Sequence, residues 1–140
     1  MRFVREDEIR VARPVAGRFT AEVWEATILE PIEKDGMRAY RFTYDPGARS
    51  LWHVHEGEQA IFVLSGRGVM GLWGQTRGVE IGPGDWVHIE PGEKHWHGAV
   101  PDDTFVHIAV TASGKTEWFE AVSDEEYRAA FPEESYWPDG

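Results

Sequence analysis

The sequence contains no cysteine. That excludes disulfides, iron–sulfur clusters and thiolate zinc sites, so any metal must be held by His, Asp, Glu, Gln or backbone oxygen. Asparagine is also absent, and there are three lysines against eleven arginines. Positive charge is in deficit overall: 14 Lys plus Arg face 25 Asp plus Glu, a formal net charge of −11. Protonating all six histidines would still leave the chain negative. A phosphate-backbone partner needs a basic surface, so nucleic acid is not an expected partner. An anionic membrane surface is excluded on the same ground. No run approaches the ~18 to 20 apolar residues of a membrane span. The start, Met1-Arg2-Phe3-Val4-Arg5-Glu6-Asp7, has no apolar stretch and no cleavage-site pattern, so the expected location is cytoplasmic.

What is abundant is turn-forming and aromatic: 15 glycines, eight prolines and seven tryptophans in 140 residues. The length suits one domain with tails. Phe19 to Leu29 has an imperfect period of two. Met37 to Tyr44 alternates better, with Tyr40, Phe42 and Tyr44 on one face. Asp45-Pro46-Gly47 is a turn by its chemistry, Pro fixing φ and Gly free to make it positive. Further strand-length runs are Gln59 to Ser65, Arg77 to Ile81, Asp85 to Ile89 and Thr104 to Thr111, separated by Gly/Pro clusters. Such spacing predicts an all-β sandwich or barrel. Ser123-Asp124-Glu125-Glu126 reads as a capping box that opens a short C-terminal helix, ended by Pro132. The expected organisation is an N-terminal arm or edge strand over 1–18, a barrel over 19–115, and a helix and tail over 116–140.

All six histidines lie between positions 53 and 107. His53 and His55 are two apart, so on a strand both rings point the same way, and His95 and His97 repeat the spacing. His107 shares a face with Phe105 and Ala109. His88 shares the phase of Trp86 and Glu90 and reads as an outer-face residue. Imidazole is the commonest ligand for transition metals, and a His-x-His pair with a third His from a distant strand surrounds one ion on three sides. His107 and His97 are the candidate bases, His107 the favoured one. His97 has an alternative role in orienting a ligand.

The string Gly47-x5-His53-Val54-His55-x3-Gln59-x6-Gly66 resembles the first motif of the cupin superfamily, and Gly84-Asp85-x4-Glu90-Pro91-Gly92-x2-His95 resembles the second. Two positions depart from the usual pattern: Gln59 stands where a Glu is common, and Ala99 where an Asn often closes the second motif. Pro46-Gly47-Ala48-Arg49, the run Pro91 to Ala99, and Ser123-Asp124-Glu125-Glu126-Tyr127 are similar to small cupins akin to carboxymuconolactone decarboxylase-type proteins, a group that includes manganese-dependent hydroxynitrile lyases. The resemblance implies a cupin-type β-barrel or jelly roll, a homodimer, and one divalent metal on His53, His55, Gln59 and His95. It places an acid/base histidine at His107. Manganese is the metal it favours; iron, nickel and zinc suit the same ligands. Tyr40, Phe42 and Tyr44 border the substrate in such relatives, whose residues at the first two positions are generally smaller, so a narrower cavity is expected here.

Three neutral imidazoles and a neutral amide leave a divalent ion its full charge, where a carboxylate would halve it. The Gln59 site is therefore expected to be the more Lewis acidic. Three functions follow. The first is a lyase or isomerase acting on a small oxygenated molecule, hydroxynitrile-lyase-like at the site. The second is a metal-dependent dioxygenase, and the third is a cupin that binds a small ligand without turnover.

Overall fold

The protein is described over residues 1–131 from a computed structural model; the expected tail over 132–140 lies outside the described residues. In chain order the strands are β1 (Arg13–Pro14), β2 (Phe19–Thr20), β3 (Val23–Leu29), β4 (Arg38–Tyr44), β5 (Arg49–Ser50), β6 (His53–His55), β7 (Gln59–Gly66), β8 (Gly68–Leu72), β9 (Val79–Ile81), β10 (Trp86–Ile89), β11 (His95–Ala99), β12 (Phe105–Thr111) and β13 (Thr116–Trp118). One helix, α1 (Asp124–Ala130), follows them. The runs separated by Gly and Pro in the sequence all form strands, and among the described residues the fold is all-β apart from α1 and a single 3-10 turn over Glu6–Glu8. None of the described helices is long and apolar enough to cross a membrane.

The strands form two antiparallel sheets. One runs β1-β3-β4-β12-β7-β10; the other runs β13-β6-β11-β5-β2, with β8 joining it through β11 and β9 through β8. Their inner faces enclose a core of Val23, Tyr44, Ile61, Val63, Met70, Ile81, Ile89 and Phe105. This is the jelly-roll arrangement, and it has a second apolar layer outside. Trp52, Val69, Trp96, Val100 and Val122 pack with Tyr127, Ala130 and Phe131 of the α1 region. Strand β11 is consequently buried on both faces.

Local chemistry fixes the connections. Gly47 takes φ +80° behind Pro46, and the Ala48 N–H donates to Asp45 O at 2.9 Å, closing the turn that leads into β5. A Cβ on Gly71 would stand 1.9 Å from Trp96 Nε1, so the close approach of β8 to that indole requires glycine. At the start of α1 both halves of the capping box form. Glu126 N–H donates to Ser123 Oγ, and Ser123 N–H to Glu126 Oε1, each at 3.0 Å. Arg49 is buried beneath the helix. It donates to Val122 O, pairs with Asp124 at 2.7 Å, and lies over the Tyr127 ring at 4.3 Å. The N-terminal segment lies as an edge strand on its own sheet, Arg13 opposite Glu25 and Pro14 opposite Trp24.

Candidate metal centre

The site is built by strand register. Alternation turns His53 and His55 of β6 inward together, and both are buried while Val54 is half-buried between them. On one side β13 pairs with β6, placing Thr116 beside His55 and Trp118 beside His53. On the other, β11 sets His95 directly opposite His53. In the facing sheet, Gln59, Thr111 and Arg38 form one row across β7, β12 and β4. The next row is Ile61, Ala109 and Tyr40, and the one after is Val63, His107 and Phe42. Side chains in a row point to the same face, so these rows set the cavity wall.

Each ligand expected from the sequence has one side tied down. His53 Nδ1–H donates to Leu51 O, and His95 Nδ1–H to Glu93 O, both at 2.8 Å. The Thr116 hydroxyl is 2.9 Å from His55 Nδ1. Gln59 Nε2–H donates to the Thr111 hydroxyl at 3.0 Å, which turns the amide oxygen away from Thr111. The remaining atoms, His55 Nε2, His95 Nε2 and Gln59 Oε1, are buried with no hydrogen-bond partner among the described residues. Several unpaired acceptors buried at one cavity are costly unless something there accepts their lone pairs, and a cation does so. The ring centroids of His53 lie 4.2 Å from His95 and 5.0 Å from His55.

His97 enlarges the cluster. His53, His95 and His97 each offer a ligand atom, all within 4.8 Å of one another. His97 Nδ1 is engaged at 2.7 Å by the Tyr44 hydroxyl, which also lies 3.2 Å from His107 Nε2. The structure therefore separates the two candidate bases. His97 lines the cavity with His53, His55 and Gln59, whereas His107 is fully buried behind Tyr44, stacked on its ring. Tyr40 and Phe42 line the cavity; Tyr44 is fully buried and outside that lining, and its hydroxyl links the two histidines. His88 is exposed on the outer face, 2.6 Å from Glu58.

Burial disfavours the charged form of every inner imidazole. It brings His55 and His107 down to about 4 and His53 and His97 well below the ordinary histidine value; His95 moves in the same direction. Mutual repulsion adds to this at His53 and His55, where a charge on His95 opposes protonation. All five are neutral at pH 7, the form that ligates a metal. The donor set of nitrogen and amide oxygen fits a divalent transition ion. Burial drives the Tyr44 hydroxyl far above its ordinary range, so it stays protonated and can donate to only one histidine at a time.

Three residues that shape this site carried no local signal. Thr111 orients Gln59 from 52 positions away, and Thr116 orients His55 from 61. Trp118 stacks on His53 with centroids 4.6 Å apart. Thr116 and Trp118 alternate as an inward pair, which is the pattern that identifies a further strand beyond residue 115.

Comparison with known proteins agrees with this architecture. The profile of the cupin domain matches residues 40–111. An (R)-mandelonitrile lyase of Granulicella tundricola is 46% identical over 130 residues, covering 85% of this chain and 96% of the relative. Among solved structures, a cupin-like protein of Thermotoga maritima superposes with a TM-score of 0.79 at 35% identity, over 83% of this chain and 90% of the other. The polyketide cyclase RemF of Streptomyces resistomycificus gives 0.71 at 25% identity, over 91% of each chain. With its fold, its two motifs and its histidine cluster accounted for together, the chain belongs to the cupin family.

Proposed function

We propose that the protein is a metal-dependent lyase that cleaves a small hydroxynitrile to an aldehyde and hydrogen cyanide, with His53, His55, Gln59 and His95 as the metal ligands. The observation that carries the reading is the set of buried acceptors with no hydrogen-bond partner among the described residues, on His55 and His95 of one sheet and Gln59 of the facing sheet. The activity named for the Granulicella relative, at 46% identity, supports the choice of reaction. A divalent ion held by four neutral ligands supplies a Lewis acid of undiminished charge, with manganese the first choice.

The chain's own groups account for the protons. His97 stands at the cavity; with its Nδ1–H donating to the Tyr44 oxygen and the Tyr44 O–H donating to His107 Nε2, its own Nε2 is left to accept the substrate hydroxyl proton. As the carbon–carbon bond breaks, its electron pair leaves with cyanide, which takes that proton as hydrogen cyanide; no proton is consumed overall. Tyr44 fixes the ring of His97, and His107 fixes the Tyr44 hydroxyl in turn. His107 therefore acts as a positioning residue in this reading. The cavity, about 570 Å³, accommodates a small aromatic substrate even with Tyr40 and Phe42 on its wall.

The test begins with elemental analysis of protein purified without chelator, followed by mandelonitrile cleavage read as benzaldehyde release. Activity is expected to track manganese loading. His97→Ala is expected to lower kcat by about 100-fold or more with metal content unchanged. A protein that retains none of manganese, iron, nickel or zinc, or a His97→Ala variant with full turnover, overturns the assignment. Oxygen uptake in place of aldehyde release would instead indicate the dioxygenase chemistry.

A further inference from the structure

The cavity mouth is electrically at odds with the rest of the chain. In a protein of net charge −11, Arg13, Arg18, Arg38 and Lys115 line it against two carboxylates, Glu25 and Asp35. Arg13 is the one with an acidic neighbour, Glu25 at 4.0 Å. Arg18 and Arg38 have no carboxylate within 4.0 Å among the described residues, although acidic side chains outnumber basic ones nearly two to one.

The two arginines are held rather than free. Arg38 closes the row that contains Thr111 and Gln59, so its backbone is two strand spacings, about 10 Å, from that of Gln59 on the same face. Its guanidinium is half-buried and donates to Gly36 O at 3.1 Å and Gly114 O at 2.8 Å. Carbonyls fix its position without neutralising its charge. Arg18 belongs to the opposite sheet's side of the mouth, and its guanidinium lies 5.5 Å over Trp118, the ring stacked on His53. The rings of Tyr40, Phe42 and Trp118 line the same cavity as the two arginines and as His53, His55 and His97.

We propose that this mouth recognises a carboxylate on the substrate, so that the substrate class is a small organic anion whose apolar body spans from Arg38 and Arg18 to the histidine cluster. Guanidinium matches carboxylate geometry with paired N–H donors; the half-buried Arg38, preset by its two carbonyl bonds, gives more than an exposed arginine would, and the exposed Arg18 adds a second charge. The tyrosine, phenylalanine and tryptophan rings fit the apolar body, and the metal end takes the reacting oxygen. The direction in which the molecule lies rests on the lyase reading; the preference for an anion does not.

The experiment compares 4-formylbenzoate with 4-methylbenzaldehyde, titrated calorimetrically into the full chain before and after chelator treatment. The anion is expected to bind about tenfold tighter in both forms. Arg18→Gln and Arg38→Gln are each expected to lower the affinity for 4-formylbenzoate several-fold and to leave that for 4-methylbenzaldehyde unchanged. Raising the ionic strength from ~0.01 M to ~1 M shortens the screening length from ~30 Å to ~3 Å and is expected to weaken only the anion. Should Arg38→Gln disturb folding through its two carbonyl bonds, the exposed Arg18→Gln variant carries the test alone. Equal affinity for the two probes in chelated protein overturns the proposal. So does an anion preference that appears only with metal bound and survives the arginine changes, since the carboxylate is then a metal ligand. Failure of the lyase reading shows separately, as absent metal or absent turnover, and leaves the chelated-protein result standing.

Discussion

Strand β11 and the residues around β6 present two faces that are equally buried and chemically opposite. Outward, Trp52 and Trp96 pack with Val122, Tyr127 and Phe131 beside α1. Inward, His53, His95 and His97 meet at the cavity. Burial does not distinguish the faces, because all eight side chains are no more than 5% exposed. Closure of hydrogen bonding does. The buried polar group on the helix side, Arg49, has an acceptor for every guanidinium nitrogen, in Val122 O, Gly47 O and Asp124. On the inner side His55, Gln59 and His95 are each satisfied on one atom and, among the described residues, bare on the next. Trp52 Nε1, also without a partner, is the exception on the outer side. A fold that seals one face and leaves acceptors open on the other is built to be completed by a ligand on the open side.

The sharpest way to break this contrast is to truncate neighbours in sequence. Trp96→Ala empties the packing under α1 and is expected to cost about 3 to 5 kcal/mol of stability, read as the urea midpoint. His95→Ala, one residue away, is expected to cost the metal-free protein less than that. It removes a ligand, however, and should lower manganese affinity by about 100-fold or more, read by competition with a chelating dye. If the two variants destabilise the metal-free protein equally and leave metal affinity alone, both faces are structural and the contrast fails.

Metal removal gives the next largest effect. With free manganese at about 100 times its dissociation constant, binding contributes about 2.7 kcal/mol. The melting temperature is expected to fall on chelation in the wild type and in Tyr127→Phe, which loses the outer hydrogen bond from Tyr127 Oη–H to Ala99 O at 2.6 Å. His53→Ala should show no such fall. A chelator-insensitive wild type would count against a bound ion contributing to the fold.

The imidazoles make the inner face sensitive to acid. His107 titrates near 4 in the folded protein because burial penalises its charge, against an ordinary value of 6.5. Between those values the unfolded chain binds the proton and the folded one does not. Stability is therefore complete above about 6.5 and is lost as the pH falls towards 4. Each such histidine contributes a slope of up to about 1.4 kcal/mol per pH unit. Metal-free His107→Gln is expected to show a shallower fall in urea midpoint between pH 6.5 and pH 4 than the metal-free wild type. Parallel curves would mean that His107 is not held neutral.

Much of this organisation is legible in the sequence because it depends on short-range periodicity. Alternation placed Tyr40, Phe42 and Tyr44 on one face, and Phe105, His107 and Ala109 on another. Two-residue spacing turned His53 and His55 together, and Ser123 with Glu126 announced the helix start. What sequence could not resolve was which inward histidine meets the cavity. His97 and His107 have the same phase relative to their strands, and only the three-dimensional placement of Tyr44 puts one in front and the other behind. Thr111, Thr116 and Trp118 escaped notice because their partners are set by cross-strand register rather than by neighbours in the chain. Arg38 is the intermediate case. It shares the phase of Tyr40, so its face was readable, but its carbonyl anchors come from Gly36 beside it and Gly114 far along the chain.

The smallest effect is expected at Ser123, and it bounds how tightly the outer face is coupled to the inner one. Ser123→Ala removes the acceptor for the Glu126 N–H and breaks the reciprocal capping box. Caps of this kind are worth about 1 kcal/mol, and here both bonds are exposed, so water replaces part of what is lost. A helix of seven residues has little stability of its own. Its position depends instead on Tyr127, Phe131 and the Arg49 guanidinium beneath it, none of which the substitution touches. The urea midpoint should therefore move slightly, and manganese affinity should not move at all. A loss of metal binding in Ser123→Ala would show that the helix transmits strain through β11 to His95 and His97, and that the two faces, though chemically separate, are mechanically one.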